Sequence, residues 1–361
     1  MNLLTGLKIL DFTRYFPGPY ATLRLSDWGA EVLKVESLEG EPGRRLNVFN
    51  DEEGSVFRSV NRGKRAVHVD LKDPEMLEEV FALVARADVV IEGFRPGVMD
   101  RLGLGYEAVR AIKSDIVYCS LSGYGATGPN AGLSGHDINY MALSGCLDQL
   151  LDDKGKPVKP QIAFADLVGG ICASEAVLAG LVKRGATGQG CYLDISLTES
   201  ILGMMGLHAV HSSLGYGTHG EMDESISYAV YETADGRYVS LGAMENKFWA
   251  NFCEAVGRPD LLPAKNEPAK LGNRAYQEMC CIFSTYDFAY WRHFFTQVDC
   301  CFAPVLNIEE VLDEPGFKTR GMIGERWGAK YIATHYDIGE SFLQEADPFP
   351  PLQDRDNPVS E

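Results

Sequence analysis

The first half of the chain alternates short apolar segments with segments of helical period, and no other feature limits the fold as tightly. Leu7–Phe12 (LKILDF) reads as a buried strand, Pro19–Gly29 (PYATLRLSDWG) as a helix closed by Gly29, and Glu31–Glu36 (EVLKVE) as the next strand. RAVHVDL from Arg65, DVVIE from Asp88 and DIVYCSL from Asp115 supply three more. Before DVVIE, Asp73 is placed to cap a helix with Pro74 in its first position, and Leu77, Val80, Phe81 and Val84 recur at the helix period. Apolar strands joined through helices pair in parallel and are covered by those helices. The pattern predicts an α/β fold built on a parallel sheet.

The character then changes twice. LVGGICASEAVLAGLVKRG (Leu167–Gly185) is apolar nearly all round and rich in Gly and Ala, which predicts a buried, closely packed helix. A strand, CYLDISL from Cys191, and a second largely apolar helix, ESILGMMGLHAVHSSLG from Glu199, follow it. From Tyr228 a hairpin pattern around Asp235-Gly236 opens a more polar region. The expected organisation is a large domain over residues 1–190, linker helices over 191–227, a small α+β domain over 228–312 and a last segment, 313–361. That segment ends in a Pro-rich polar tail (DPFPPLQDRDNPVSE) expected to lie extended on the surface.

Nucleotide-binding and hydrolase chemistries that use such sheets need loops this chain lacks. The turn after the first strand, TRYFPGPYA, contains no GxGxxG, and no GxxxxGK[ST], GxSxG or HExxH occurs. A net charge of −18 argues against general affinity for nucleic acid or anionic membrane. Nine cysteines without paired CxxC spacing read as reduced thiols, not a zinc site or disulfide frame, and favour the cytoplasm. No signal peptide or 18-residue apolar run is evident.

Three titratable residues stand apart from their surroundings. His136 follows a glycine in SGHDINYMALSG, Asp166 lies in the apolar stretch IAFADLVGG, and Glu245 follows a strand end in SLGAMENKFW. Each has a plain alternative: a hydrogen-bonded loop histidine, a cap for a helix starting at Leu167, and a helix-start carboxylate. Arg62, Lys64 and Arg65 form one basic run, and Arg95 and Arg101 flank another turn. Basic residues at strand ends of a parallel sheet suit an anionic ligand, and they equally suit solvated loops.

Taken together, LKILDFT…GP…LSDWGAEVLKVE, NRGKRAVHVDL, EGFRPGVMDRLGLGYE, CSLSGYGATGP, GHDINYMALSG and FADLVGG resemble the family III coenzyme A transferases, in order and over nearly the whole chain. The resemblance implies a Rossmann-like large domain that receives the C-terminal segment back, a smaller domain, and an interlocked homodimer. It implies coenzyme A binding at Tyr15, Phe16, Lys64, Arg65, Phe94, Arg95, Arg101 and Leu102. Ser37 departs from the basic residue that many relatives carry after KVE, so its phosphate contact is absent from the expected set.

GHDINYMALSG resembles the 2-methylacyl-CoA racemase branch of that family, an isomerase chemistry. The resemblance assigns His136 and Asp166, thirty residues apart, as paired acid/base groups and Glu245 as the histidine's hydrogen-bond partner. The activity implied is epimerisation of carbon 2 of acyl-CoA thioesters through an enolate. No metal or organic cofactor is implied, because coenzyme A arrives as part of the substrate. The alternative is a coenzyme A transferase between carboxylic acids, with Asp166 as nucleophile. On the racemase reading, backbone N–H groups at the start of the Asp166 helix would meet the enolate oxygen. Met141, Met204 and Met205 would line the acyl surface or else fill the core.

Overall fold

The computed structural model describes residues 3–46, 54–152, 154–217, 225–326 and 329–334. The chain divides into two units, one running to Leu214 and resuming at Lys318, the other Gly215–Phe317.

The larger unit is organised by six strands: β1 (Lys8–Asp11), β2 (Glu31–Glu36), β3 (Arg65–His68), β4 (Val89–Glu92), β5 (Val117–Ser122) and β6 (Cys191–Ser196). All pair in parallel, in the order β3-β2-β1-β4-β5-β6. Strand order reverses between β1 and β4, which opens a crevice at their carboxyl ends, the usual ligand position in such sheets. β4 and β5 are wholly buried, as strands covered on both faces must be.

One face of the sheet packs on the helices Pro17–Asp27 and Phe164–Thr187 around Ile9, Val89, Ile91 and Val117. The other face gathers Leu10, Val90 and Tyr118 with Val80 and Val84 of the helix Pro74–Arg86. That helix starts as its sequence predicts, with the Asp73 carboxylate accepting the N–H groups of Glu75 and Met76 at 2.9 and 3.4 Å.

The long helix differs from expectation in two respects. It begins at Phe164, not Leu167, and only one face is buried, lined by Ala165, Gly169, Gly170, Ala173, Ser174, Val177 and Gly180. Small residues let the backbones approach closely: a Cβ on Gly170 would lie 2.6 Å from the Pro17 carbonyl oxygen. Ile171 and Val182 on its outer side are exposed. By length and composition this helix would also cross a membrane, but here its inner face covers the sheet. The helix Gly206–Ser213, largely apolar in sequence, buries no residue.

The boundary expected at residue 190 falls later, because β6 is the sixth strand of the large sheet and the helices after it stay with that unit to Leu214. The smaller unit carries an antiparallel sheet of β7 (Tyr228–Glu232), β8 (Tyr238–Gly242) and β9 (Phe302–Pro304). The hairpin turns at Gly236, whose φ is +72°. Its core is aromatic, with Trp249, Phe252, Phe283 and Trp291 buried together. The chain then rejoins the larger unit through a hairpin, β10 (Ile323–Arg326) and β11 (Ala329–Ile332). Thr334 fastens this return to Asp27, its N–H donating at 3.1 Å. The Pro-rich tail from Asp347 lies outside the described residues.

Candidate active site

Four loops leave the carboxyl ends of β1, β4, β5 and β6, and the candidate residues divide between them and the layers beneath. After β1 the chain turns through Arg14, Tyr15 and Phe16 before the helix Pro17–Asp27. Tyr15 has a φ of +65°, a conformation that costs a non-glycine residue energy and needs outside support. Glu41 supplies it: its carboxylate accepts the Tyr15 N–H at 2.6 Å. Phe16 stacks on Tyr20. After β4, the Phe94 ring lies under the Arg14 guanidinium at 4.6 Å, a cation–π contact. Arg95 donates to the Ser134 hydroxyl at 2.6 Å. Arg101 sits over Gly97 in the same turn.

Arg14, Arg95 and Arg101 are all exposed, and among the described residues none has a carboxylate within ion-pair distance. Three unneutralised guanidiniums at the reversal point of a strongly acidic protein make a local patch of positive charge suited to an anion. Arg14 was not singled out in the sequence; its signal was its place three residues past β1.

Other expected contacts lie elsewhere. Lys64 is buried, and its ammonium donates to the Pro19 carbonyl at 2.8 Å, Asn61 Oδ1 at 2.9 Å and Asp11 Oδ2 at 3.3 Å. Lys34 is equally buried and donates to the Thr13 carbonyl at 2.6 Å. Burial holds the Lys64 ammonium far below the ordinary lysine range, with Asp11 working against that shift. Against its own burial, Asp11 is held low by Lys34 and Lys64 and by hydroxyl bonds from Thr13 and Thr22. Lys64 is thus an internal brace under the Thr13–Pro19 turn and offers nothing to a surface ligand. Arg65 opens β3 at its amino end, 3.8 Å from Glu31, on the sheet edge opposite the crevice. Leu102 packs on the core. Ser37 is exposed and bonds the Gly40 carbonyl at 3.0 Å.

The loop after β5 leads to Ser134, Gly135, His136 and Asp137. Gly135 is required by crowding, since a Cβ there would lie 2.7 Å from both the Tyr124 hydroxyl and the Tyr140 ring. His136 is exposed and precedes the helix Asp137–Leu143; the Asn139 side chain accepts its backbone N–H at 3.0 Å. Asp137 turns inward. One of its carboxylate oxygens accepts the N–H groups of Ala165 at 2.7 Å and Asp166 at 3.2 Å. So the helix that carries Asp166 is capped from 28 residues away, and Asp166 is not its cap.

That arrangement corrects another expectation. The Phe164 and Leu167 N–H groups bond the carbonyls of Ile162 and Ala163, so the start of this helix has no free N–H to meet an enolate oxygen. Asp166 sits half-buried in the first turn, and among the described residues no donor bonds its carboxyl. Burial, then the negative charge of Asp137, pushes its pKa up to about 7. Tyr140, beside it, donates to the Gly135 carbonyl at 2.6 Å; its burial, then the charge of Asp166, pushes it up to about 12. His136 and Asp166 are therefore carried on one assembly, a loop whose Asp137 locks onto the Asp166 helix. In the sequence, Asp137 carries no signal beyond its place next to His136.

Glu245 belongs to the smaller unit. It is the exposed residue before the helix Asn246–Ala255, its carbonyl accepting the N–H of Phe248 at 3.0 Å. Lys265 bonds the Met244 carbonyl and Asn246 Oδ1, on either side of it. Of the methionines proposed for the acyl surface, Met141 is fully buried in the core, Met205 is half-buried against it, and Met204 is exposed. Among the described residues no three His, Cys, Asp or Glu side chains cluster as a metal site.

Comparison with known proteins matches residues 4–334 to the model of CoA-transferase family III. The chain belongs to CoA-transferase family III. It is 34% identical to human succinyl-CoA:glutarate CoA-transferase, over 89% of this chain and 76% of that one. It is 32% identical to human alpha-methylacyl-CoA racemase, over 88% of this chain and 81% of that one. Among solved structures it resembles a CAIB/BAIF family protein from Brucella suis, with a TM-score of 0.86 and 28% identity, covering 97% and 96% of the two chains. The family contains both chemistries, so membership makes the chain an enzyme of this fold, and the choice of reaction rests on the site.

Proposed function

We propose that this family III protein is a 2-methylacyl-CoA racemase. The supporting observation is the His136–Asp137 loop clamped to the helix of Asp166, whose carboxyl is pushed up to about 7. Proton transfer is most effective when the group's pKa lies near the working pH. One group removes the carbon 2 proton from one face of the thioester. The bonding pair passes onto the carbonyl oxygen as an enolate, and the other group delivers a proton to the opposite face. Return runs through the same two groups with their roles reversed. Arg14, Arg95 and Arg101 hold the coenzyme A phosphates, with Tyr15, Phe16 and Phe94 against its nucleotide. The nine unpaired cysteines suit a reducing compartment, and we place the enzyme in the cytoplasm, as a homodimer.

A second reading, acyl transfer between carboxylic acids with Asp166 as nucleophile, is favoured by the slightly higher identity to the glutarate transferase. His136→Ala separates the two. Under the racemase reading, inversion falls by about 10²–10⁴-fold, the usual worth of a positioned acid/base group, while coenzyme A affinity is kept. A His136→Ala enzyme with undiminished turnover, and an Asp166 adduct trapped by hydroxylamine, would establish the transferase reading instead.

A further inference from the structure

Glu92 ends β4 directly below the turn that carries Phe94 and Arg95, and the chemistry assigned so far does not use it. It is 6% exposed. One carboxylate oxygen accepts the Phe94 N–H at 2.7 Å, and the other meets the Ser120 hydroxyl. Glu92, Ser120 and Asp194 stand in one row across β4, β5 and β6. The titratable groups that face Glu92 are Tyr118 and Cys119 of β5, Tyr192 and Asp194 of β6, and Asp100 of the helix Val98–Arg101. On β1, Asp11 is turned into its own pairing with Lys34 and Lys64. Among the described residues no cation lies within ion-pair distance of Glu92.

A buried carboxyl with acids for neighbours and no cation favours its neutral form. Burial, then Asp100 and Asp194, outweigh the bonds from Ser120 and Phe94 and push Glu92 up to about 7. In the neutral form the Ser120 bond that favours the carboxylate is weakened, while one oxygen still accepts from Phe94. A phosphate arriving at Arg95 adds negative charge above this carboxyl and opposes its ionisation further.

We propose that Glu92 is a positioning residue for the coenzyme A turn, and that phosphate binding there draws a proton from solvent onto its carboxyl. The inference rests on the reading that Phe94–Arg101 receives coenzyme A.

Calorimetric titration of the full-length protein with free coenzyme A, in buffers of different ionisation enthalpy and on both sides of pH 7, tests it. Wild type takes up a fraction of a proton on binding, and its dissociation constant rises with pH by up to about tenfold per pH unit, the ceiling for one linked proton. Glu92→Gln keeps an acceptor for the Phe94 N–H and loses that uptake, leaving only the ionisation of the coenzyme's own phosphates. Ser120→Ala removes a bond that favours the ionised form, so the pH dependence moves upward. Equal proton uptake by wild type and Glu92→Gln would overturn the proposal. So would an unmoved pH dependence in Ser120→Ala, which carries the test if the glutamine variant does not fold. A wild type that binds no coenzyme A overturns the coenzyme A reading and this inference with it.

Discussion

At the scale of single residues, neighbouring side chains of similar type have opposite fates. Lys64 and Arg65 are adjacent and both basic, yet one is an internal brace and the other a surface charge at the wrong edge of the sheet. The local sequence does not mark which of the two will be buried, because the partners that hold Lys64 include Asp11 and Pro19, which lie far off in the chain. Asp166 was legible as anomalous because an acid in an apolar stretch is expensive. Its tuning was not legible, since it comes from burial in the folded chain and then from Asp137. Two changes at Asp137 separate its parts. Asparagine keeps an oxygen for the helix N–H groups and removes the charge; alanine removes both. For the epimer whose proton Asp166 takes, the rate rises with pH as that carboxyl ionises around 7. In Asp137→Asn this limb moves to lower pH, because the charge opposing ionisation is gone. A limb that stays in place would mean that Asp137 acts on structure alone.

At the scale of elements, the strands were readable because a doubly covered sheet demands continuous apolar runs, and β2 matches its expected bounds to the residue. The helix Pro74–Arg86 was readable for the same local reason: its cap, Asp73, is its neighbour in sequence. The Asp166 helix was misplaced by three residues because its cap arrives from another loop, which no local pattern records. Losing a cap of this kind costs about 1 kcal/mol. Asp137→Ala should therefore lower the unfolding free energy by about that amount in denaturant titrations, and Asp137→Asn by much less, since asparagine caps as well as aspartate. Equal losses in the two variants would contradict the capping role.

At the scale of the whole molecule, several apolar side chains face outward on the larger unit. Leu202, Met204, Leu207, Val210 and Leu214 are each about half exposed or more, in the largely apolar segment after β6. Apolar surface in so continuous a stretch suits an interaction face, and the proposed occupant is a second copy of the chain. Sedimentation across a wide dilution range should then show a dimer and no folded monomer. A well-folded monomer at low concentration would remove that assignment and leave the exposed helices unexplained.

If the His136 loop and the Asp166 helix move protons at carbon 2, one incubation shows it directly. A single pure epimer of a 2-methylacyl-CoA is placed in deuterated water with the wild-type enzyme, and the acyl group is examined by proton NMR and mass spectrometry. A racemase gives a mixture of both epimers with deuterium at carbon 2, from either starting epimer, with no carboxylic acid added. Recovery of the starting epimer with its carbon 2 proton intact, together with acid-dependent exchange of coenzyme A, would contradict the racemase reading.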